Sequence, residues 1–586
     1  MADPIRIANC SGFFGDRSSG AREMVEGGPI DFLTGDWLAE LTMLILARTR
    51  AKRPGGGYAR SFVSQMEEVM GSCLDKGIKV VSNAGGLDPD RCAEAVHEVA
   101  EKLGLHPRIA YVRGDDLMPR VGELIARDQL DHFDSGKPIE DPGRFMTANA
   151  YLGCWGIVRA LEHGADIVIT GRVTDAAVVC GPAAWHHGWS RSDWNQLAGA
   201  VVAGHLIECS SQVTGGNYSF FKEVPGMERV GFPWAEIAED GSCVIGKHDD
   251  GLGGQVSIGT VTSQILYEIG GPEYFGPDVT TRFDTIQLEQ MAPDRVRVHG
   301  VQGEAPPETL KVCMNRSGGF RNDMRVGLTG LDIEEKAGLI EAAFWRACPY
   351  QPGDYEQVTT RLIRSDKLDP ATNEEAVAIW HISVKDPDEK RTGRAFSNAV
   401  TELGLATIPG FFGVGGGPTA GRPFGVYEPA RVPASLVPQE VVFLGGEAYQ
   451  VDSVIPPGEN QITPAPGPSA TAPSGATTRA ALGTLFGARS GDKGGNGNLG
   501  VFARSDEAWA WLDEFLTTEK LAELLPEVGQ FRVDRYRFPA LRSLNFVVHG
   551  ILEEGVAAAT RQDGQAKGLG EWLRSRIVDM PKTLLA

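Results

Sequence analysis

The stretch Ala165-Asp-Ile-Val-Ile-Thr-Gly-Arg-Val-Thr-Asp-Ala-Ala177 decides how this chain is read, together with Gly204-His-Leu-Ile-Glu-Cys-Ser-Ser-Gln-Val-Thr-Gly-Gly-Asn217 downstream. Residues 165–169 form a short apolar run that ends at Gly171 and Arg172. Residues 206–209 read as a second apolar run, ending in a loop built on Gly215 and Gly216. Strand ends that feed glycine loops are where α/β proteins place ligand sites, because a loop held by a rigid sheet can aim polar groups at one point.

Working outward, residues 5–9, 29–33, 78–82 and 108–112 read as further strands. Helices are expected near 37–50, from 89 to a stop at Gly104, and over 146–163. Pro182 is expected to keep the helix after Asp175 short. This alternation implies an α/β body with a mainly parallel sheet and covering helices, either an open sheet or an incomplete barrel. The α/β part spans about 1–219. From about 220 to 455 helices thin out, and a β-rich α+β region is expected, with strands at 255–259 and 296–299 and helices near 333–347 and 393–404. Residues 456–478 are rich in Pro, Ala, Ser, Thr and Gly, a composition that buries too little apolar surface to fold and reads as a linker. Residues 479–586 read as a small α+β domain, with strands at 499–503, 531–536 and 544–550 and helices at 507–516 and 566–577.

The chain has 586 residues and a formal net charge of −21, which argues against a nucleic-acid surface. There is no apolar run of membrane-spanning length and no secretory leader pattern at the start. Nine scattered cysteines without a Cys-x-x-Cys pair fit a reducing cytoplasm. An acidic two-part chain with a linker is compatible with a homo-oligomer.

The candidate chemistry lies in polar side chains beside glycines. Asp175 reads either as a helix cap, shared with Thr174, or as a proton carrier beside Arg172, whose guanidinium can fork onto a carboxylate or phosphate. Glu208, flanked by Leu206, Ile207 and Cys209, is expected to be partly desolvated, which raises a carboxyl pKa toward general acid–base use; the plain alternative is a structural ion pair. His205 reads as structural. Gln212, Gly215, Gly216 and Asn217 offer amides for a carbonyl or oxyanion. Asn9, Ser11 and Gly12, then Gly35 and Asp36, then Asn83, Gly85 and Gly86 repeat the same vocabulary, so five loops suggest one rim. Lys247-His-Asp-Asp250 allows a metal reading, but no three-ligand spacing supports it. The pattern Gly495-Asn-Gly-Asn-Leu-Gly500 leads into a strand, and no strand clearly precedes it, so it does not indicate a dinucleotide. The loop Arg489-Ser-Gly-Asp-Lys493, with Asp492 inside it, reads as a solvated turn or as an anion nest with Arg489 and Lys493 as counter-charges.

Asn83-Ala-Gly-Gly86, Ile169–Ala177, Gly204–Asn217 and Ala488-Arg-Ser-Gly-Asp-Lys-Gly494 together resemble the acyclic terpene utilisation (AtuA) family. Residues 1–455 resemble the AtuA domain, and 479–586 the ferredoxin-like domain often fused to it. The resemblance implies a place in the breakdown of citronellol- and geraniol-type terpenes, whose branched acyl-CoA thioesters are carboxylated, hydrated and cleaved. The reading is an enzyme acting without a cofactor or metal on a branched acyl-CoA or carboxylic acid, by hydration, cleavage or isomerisation. Arg172, Asp175 and Glu208 would be catalytic. Asn83, Gly85, Gly86, Thr174, Gln212, Gly215, Gly216, Asn217, Arg489, Asp492 and Lys493 would bind substrate. The alternatives are a non-catalytic acyl-CoA-binding or carboxylase-associated subunit, and a metal-dependent hydrolase or lyase using His248.

Overall fold

A computed structural model describes residues 3–53, 55–249 and 251–585. The chain divides into two compact units. One comprises Met1–Asn315, Tyr427–Val556 and Gln565–Ala586, the other Arg316–Val426 and Ala557–Gly564.

The first unit is built on an 11-stranded sheet. At its centre the strands Ile5–Asn9, Phe32–Gly35, Lys79–Ser82, Ile167–Thr170 and Ile109–Arg113 pair side by side in parallel. Alternate residues along these strands fall into two different cores. Ile7, Phe32, Val81 and Val168 enter one, while Ala8, Leu33, Val80 and Ile169 enter the other. Such near-continuous apolar runs belong to strands buried on both faces. The helices Ala177–His187 and Trp194–Ile207 contribute to the first core, and Gly20–Gly27, Arg60–Lys76 and Pro89–Leu103 to the second. Gly104 ends the last of these at φ 70°, as a left-handed stop.

The sheet is mixed rather than mainly parallel. Pro233–Ile237, Cys243–Lys247, Arg295–His299 and Gln287–Ala292 extend one edge antiparallel, and Gln439–Phe443 and Ala448–Val451 extend the other. Hairpin strands need only short connections, so later segments can widen a parallel centre without further crossover helices.

Four local expectations change. The helix expected over 146–163 is the strand Phe145–Ala150 followed by the shorter helix Trp155–Glu162. The apolar run 206–209 is not a strand: Leu206 and Ile207 end the 14-residue helix Trp194–Ile207. A helix buried on all sides carries no polar face, so its sequence looks like a buried strand. Gly204 explains the close packing, because a Cβ there would meet Ala176 at 2.7–2.8 Å. Residues 255–259 are likewise not a strand; Ser257 caps the helix Ile258–Ile265 through a capping box. Pro182 does not shorten its helix, which runs on to His187 with the proline inside.

Residues 452–476 carry no helix or strand. They lie along the body: Asn460 Nδ2 donates to Asn195 Oδ1 and Gly303 O at 2.8 Å, and Ala465 N donates to Asp284 O at 2.9 Å. The C-terminal ferredoxin-like domain has a four-stranded antiparallel sheet in the order Gly487–Lys493, Asn496–Phe502, Ser543–Val548, Val533–Phe538. The polar loop 489–498 is therefore a tight hairpin, turning at Gly494 with φ 62°. A strand does precede Gly495, and it was hidden because Arg489-Ser-Gly-Asp-Lys493 lacks strand-like residues.

The second unit is antiparallel. The C-terminal half of the strand Thr309–Thr329 pairs with Val377–Asp386, which pairs with Gln357–Ile363. The helices Ile333–Ala347 and Arg394–Glu402 pack over them through Phe344, Trp380 and Phe396.

Candidate active site

Four of the five proposed loops leave neighbouring parallel strands at the same end of the sheet, after Asn9, Gly35, Ser82 and Thr170. This is the end at which open α/β sheets bind ligands. The fifth, carrying Glu208, is a helix end brought alongside: Asn9 Nδ2 donates to Glu208 O at 3.1 Å, and a Cβ on Gly12 would strike the backbone of Cys209 and Ser210.

Arg172 is the fixed charge of the shelf. It is 2% exposed, donates to Asp175 Oδ1 at 2.9 Å and to Leu38 O at 3.2 Å, and stacks 4.2 Å over the Tyr151 ring. Burial opposes its charge, but Asp175, Tyr151, Glu40 and Asp36 outweigh burial and hold it charged. Its Nε has no hydrogen-bond partner. Asp175 is not a helix cap: the helix at Ala177 has no side-chain cap, and the Asp175 carboxylate is turned to Arg172 instead. Thr174 donates its backbone amide to Leu152 O at 2.9 Å.

Asp36 faces the same guanidinium. Asn83 Nδ2 donates to Asp36 Oδ1 in a short hydrogen bond, and Asn83 Oδ1 accepts from Trp37 N at 2.8 Å. Asn83 thus positions Asp36. Burial and then the Asp175 charge push the Asp36 carboxyl well above its ordinary range. Gly85 and Gly86 permit close packing, since a Cβ on Gly85 would lie 2.5 Å from Thr170 O and one on Gly86 2.5 Å from Leu46.

Glu208 is 6% exposed, and burial followed by Asp175 and Glu268 raises its pKa well above the usual range. Its place at a helix C-terminus acts in the same direction. Oε1 lies 3.2 Å from His205 Nδ1, and Oε2 has no partner. His205 Nε2 faces the carbonyls of Gln264 and Ile265 at 3.1 and 3.3 Å, so that nitrogen carries the proton and Nδ1 presents a lone pair. Burial lowers the His205 pKa to about 4. The pair is therefore a neutral acid beside a neutral imidazole.

The C-terminal hairpin reaches this shelf. Arg489 stacks 4.1 Å over Tyr267 and makes a short hydrogen bond to Gln212 Oε1, which also accepts from Asn217 Nδ2 at 3.2 Å. The amides of Gly215 and Gly216 are not free: they close their turn onto Gln212 O and Ser211 O. Lys493 Nζ donates to Glu268 O at 2.8 Å and stands 5.6 Å from the Tyr274 ring centre. Glu268 and Asp492 are half-buried. Burial and the Asp492 charge raise Glu268 to about 7, and burial with Glu40 raises Asp492 to about 6.

Glu268, Tyr151, Tyr267 and Tyr274 were not among the sequence candidates, and Asp36 was read only as part of the second loop of the rim, without a role. Asp36 had a signal, as a polar residue directly after a strand-end glycine; Glu268 had none. His248 packs against Gly28 and lies 3.1 Å from Met24 O, Asp249 is exposed, and Asp250 lies outside the described residues. Among the described residues, no three His, Cys, Asp or Glu side chains converge on a metal position, and no helix is long and apolar enough to cross a membrane.

Two family models match the chain. One, described as acyclic terpene utilisation family protein AtuA, covers residues 5–443. The other, described as the AtuA ferredoxin-like domain, covers residues 480–579. No curated protein matches it.

Proposed function

Since the chain belongs to the acyclic terpene utilisation (AtuA) family, we propose that it is a terpenoid-catabolic enzyme whose strand-end cluster performs acid–base chemistry on a branched acyl-CoA or carboxylic acid. The observation that carries this reading is Glu208: a buried carboxyl raised well above its ordinary range, with one oxygen unpartnered and the other 3.2 Å from His205 Nδ1, which orients it.

Three carboxyls, Asp36, Asp175 and Glu208, act on one guanidinium. Like charges this close do not all ionise, so the cluster keeps protons at neutral pH. In the proposed reaction Asp175 stays paired and holds Arg172, and Arg172 orients a substrate carboxylate or carbonyl oxygen. Glu208 delivers or removes the proton at carbon or oxygen, with the neutral His205 Nδ1 orienting its carboxyl. Such chemistry serves hydration, cleavage next to a carbonyl, or isomerisation, and needs no cofactor.

The test is native mass spectrometry of the full chain against a panel of branched acyl-CoAs and free acids, followed by turnover of whichever binds. Glu208→Gln and Asp175→Asn are expected to bind that compound but turn it over poorly. Binding without turnover in the wild-type protein overturns the enzymatic reading in favour of a carrier subunit.

A further inference from the structure

We propose that Lys493 is a nucleophile that forms an imine with a ketone or aldehyde carbonyl of the substrate. The inference rests on the reading of this cleft as an active site and adds a substrate class to it: a thioester alone does not yield an imine.

The first observation is how the amine is held. Among the described residues Lys493 makes no ion pair; its Nζ bonds to a backbone carbonyl, Glu268 O, at 2.8 Å. A carbonyl accepts an N–H from either protonation state and so does not enforce the ammonium as a carboxylate would. It also fixes the direction of the nitrogen. The anchor is itself unusual. Glu268 sits in the left-handed region at φ 57°, its amide accepted by Asn498 Oδ1 at 2.8 Å. A non-glycine residue held in that conformation is a feature of functional sites.

The second observation is the surroundings. Lys493 is accessible at the surface of the hairpin, as a nucleophile must be. Its neighbour is the Tyr274 ring, and partial desolvation of the amine, then the Lys311 charge, lower its pKa. Lysines set in apolar surroundings or beside a second cation are those that attack carbonyls at neutral pH. Glu268, raised to about 7, is a proton carrier next to it.

The step balances within these groups. The Nζ lone pair adds to the carbonyl carbon while the C=O π pair moves to oxygen, which takes a proton from Glu268. The amine proton returns to Glu268, the carbinolamine oxygen is protonated again, and water leaves as the C=N bond forms. The resulting iminium accepts the electrons of a breaking or shifting bond beside it. No oxidant or metal is required.

The experiment uses the full-length protein with acetoacetate or 3-methylbut-2-enal and sodium borohydride, which reduces an imine to a stable secondary amine. Peptide mapping then gives the labelling of each lysine. Lys493 is expected to be labelled severalfold more than the exposed Lys102 and Lys367, since a lowered pKa makes the free amine commoner and the held nitrogen is aimed at the carbonyl. Lys493→Arg should remove that label and leave the other two. Labelling of Lys493 no greater than at Lys102 and Lys367 overturns the proposal, and the wild-type map alone shows this if the variant does not fold. Absence of a Lys493 adduct, with turnover that still depends on Glu208, removes the imine and keeps the acid–base reading. A Lys493 adduct with turnover indifferent to Glu208 does the reverse.

Discussion

The strand-end shelf and the C-terminal hairpin supply the two sides of the proposed site in opposite ways. On the shelf, Asp36, Asn83 and Arg172 are buried and bound to one another and to backbone. On the hairpin, Asp492 is half-buried and Lys493 exposed, and they join the site through their charge and through a backbone carbonyl. The shelf is a preorganised frame, where each polar group is held by another; the hairpin is the adjustable wall. A fixed frame stores electrostatic work before substrate arrives, while accessible groups respond to what binds.

If that contrast holds, shelf substitutions should harm folding and activity together, and hairpin substitutions activity alone. The largest effect is expected from Arg172→Met, which leaves Asp175 and Asp36 without their cation. Removing one partner of a buried pair costs about 3–5 kcal/mol, so chemical denaturation should show a loss of that order and turnover should vanish. A stability loss below about 1 kcal/mol would show that the shelf is not a frame.

Glu208→Gln should separate the two quantities. Turnover is expected to fall by about 10²–10⁴-fold, the usual worth of a positioned proton carrier. Stability should move the other way. The folded chain keeps the Glu208 proton to higher pH than the unfolded chain does, so stability is lost as pH rises from the ordinary carboxylate range toward the folded value. Glutamine removes that loss. The variant should therefore melt at or above the wild type near about pH 8, and the difference should shrink toward about pH 5. A melting point below wild type at both pH values would mean that Glu208 is a structural partner.

Gly12→Ala probes the seam between the first strand-end loop and Glu208, and overpacking against the backbone of Ser210 should cost about 1–3 kcal/mol with loss of turnover. The smallest effect belongs to the hairpin. Asp492→Asn removes a charge that raises Glu268, so the pKa of Glu268 should fall from about 7 toward the carboxylate range, read from the pH–rate profile or by NMR, with stability at neutral pH equal to or above the wild type, since Asp492 is itself raised to about 6. A rise would place Asp492 on the other side of that balance.

The shelf was legible in the sequence because each strand is short, apolar and followed at once by Gly, Asn or Asp; the pattern and the placement have the same cause. The burial of Glu208 was legible, but on the wrong element. Leu206, Ile207 and Cys209 announce burial, but a fully buried helix and a buried strand carry the same apolar signature. The sheet's antiparallel margins escaped because hairpin strands such as Gln287–Ala292 are mostly exposed and carry no apolar run. Lys493 stands out locally, yet its meeting with Glu268, 225 residues away, leaves no periodic trace. Asn498 and Asn545, which bind the backbone of Glu268, Ile269 and Gly270 from the C-terminal domain, are equally invisible until the chain is folded.

Those two asparagines have a consequence for biosynthesis. The shelf and the Tyr267–Glu268 turn leave the ribosome hundreds of residues before the hairpin that fastens them. Until residues 493–498 are made, Glu268 has neither its lysine nor its amide partner, and until Asn545 is made the carbonyls of Ile269 and Gly270 lack theirs. Chains that end before Asn498 should therefore leave the Tyr267–Glu268 turn unfastened and, on the proposed function, be inert rather than partly active.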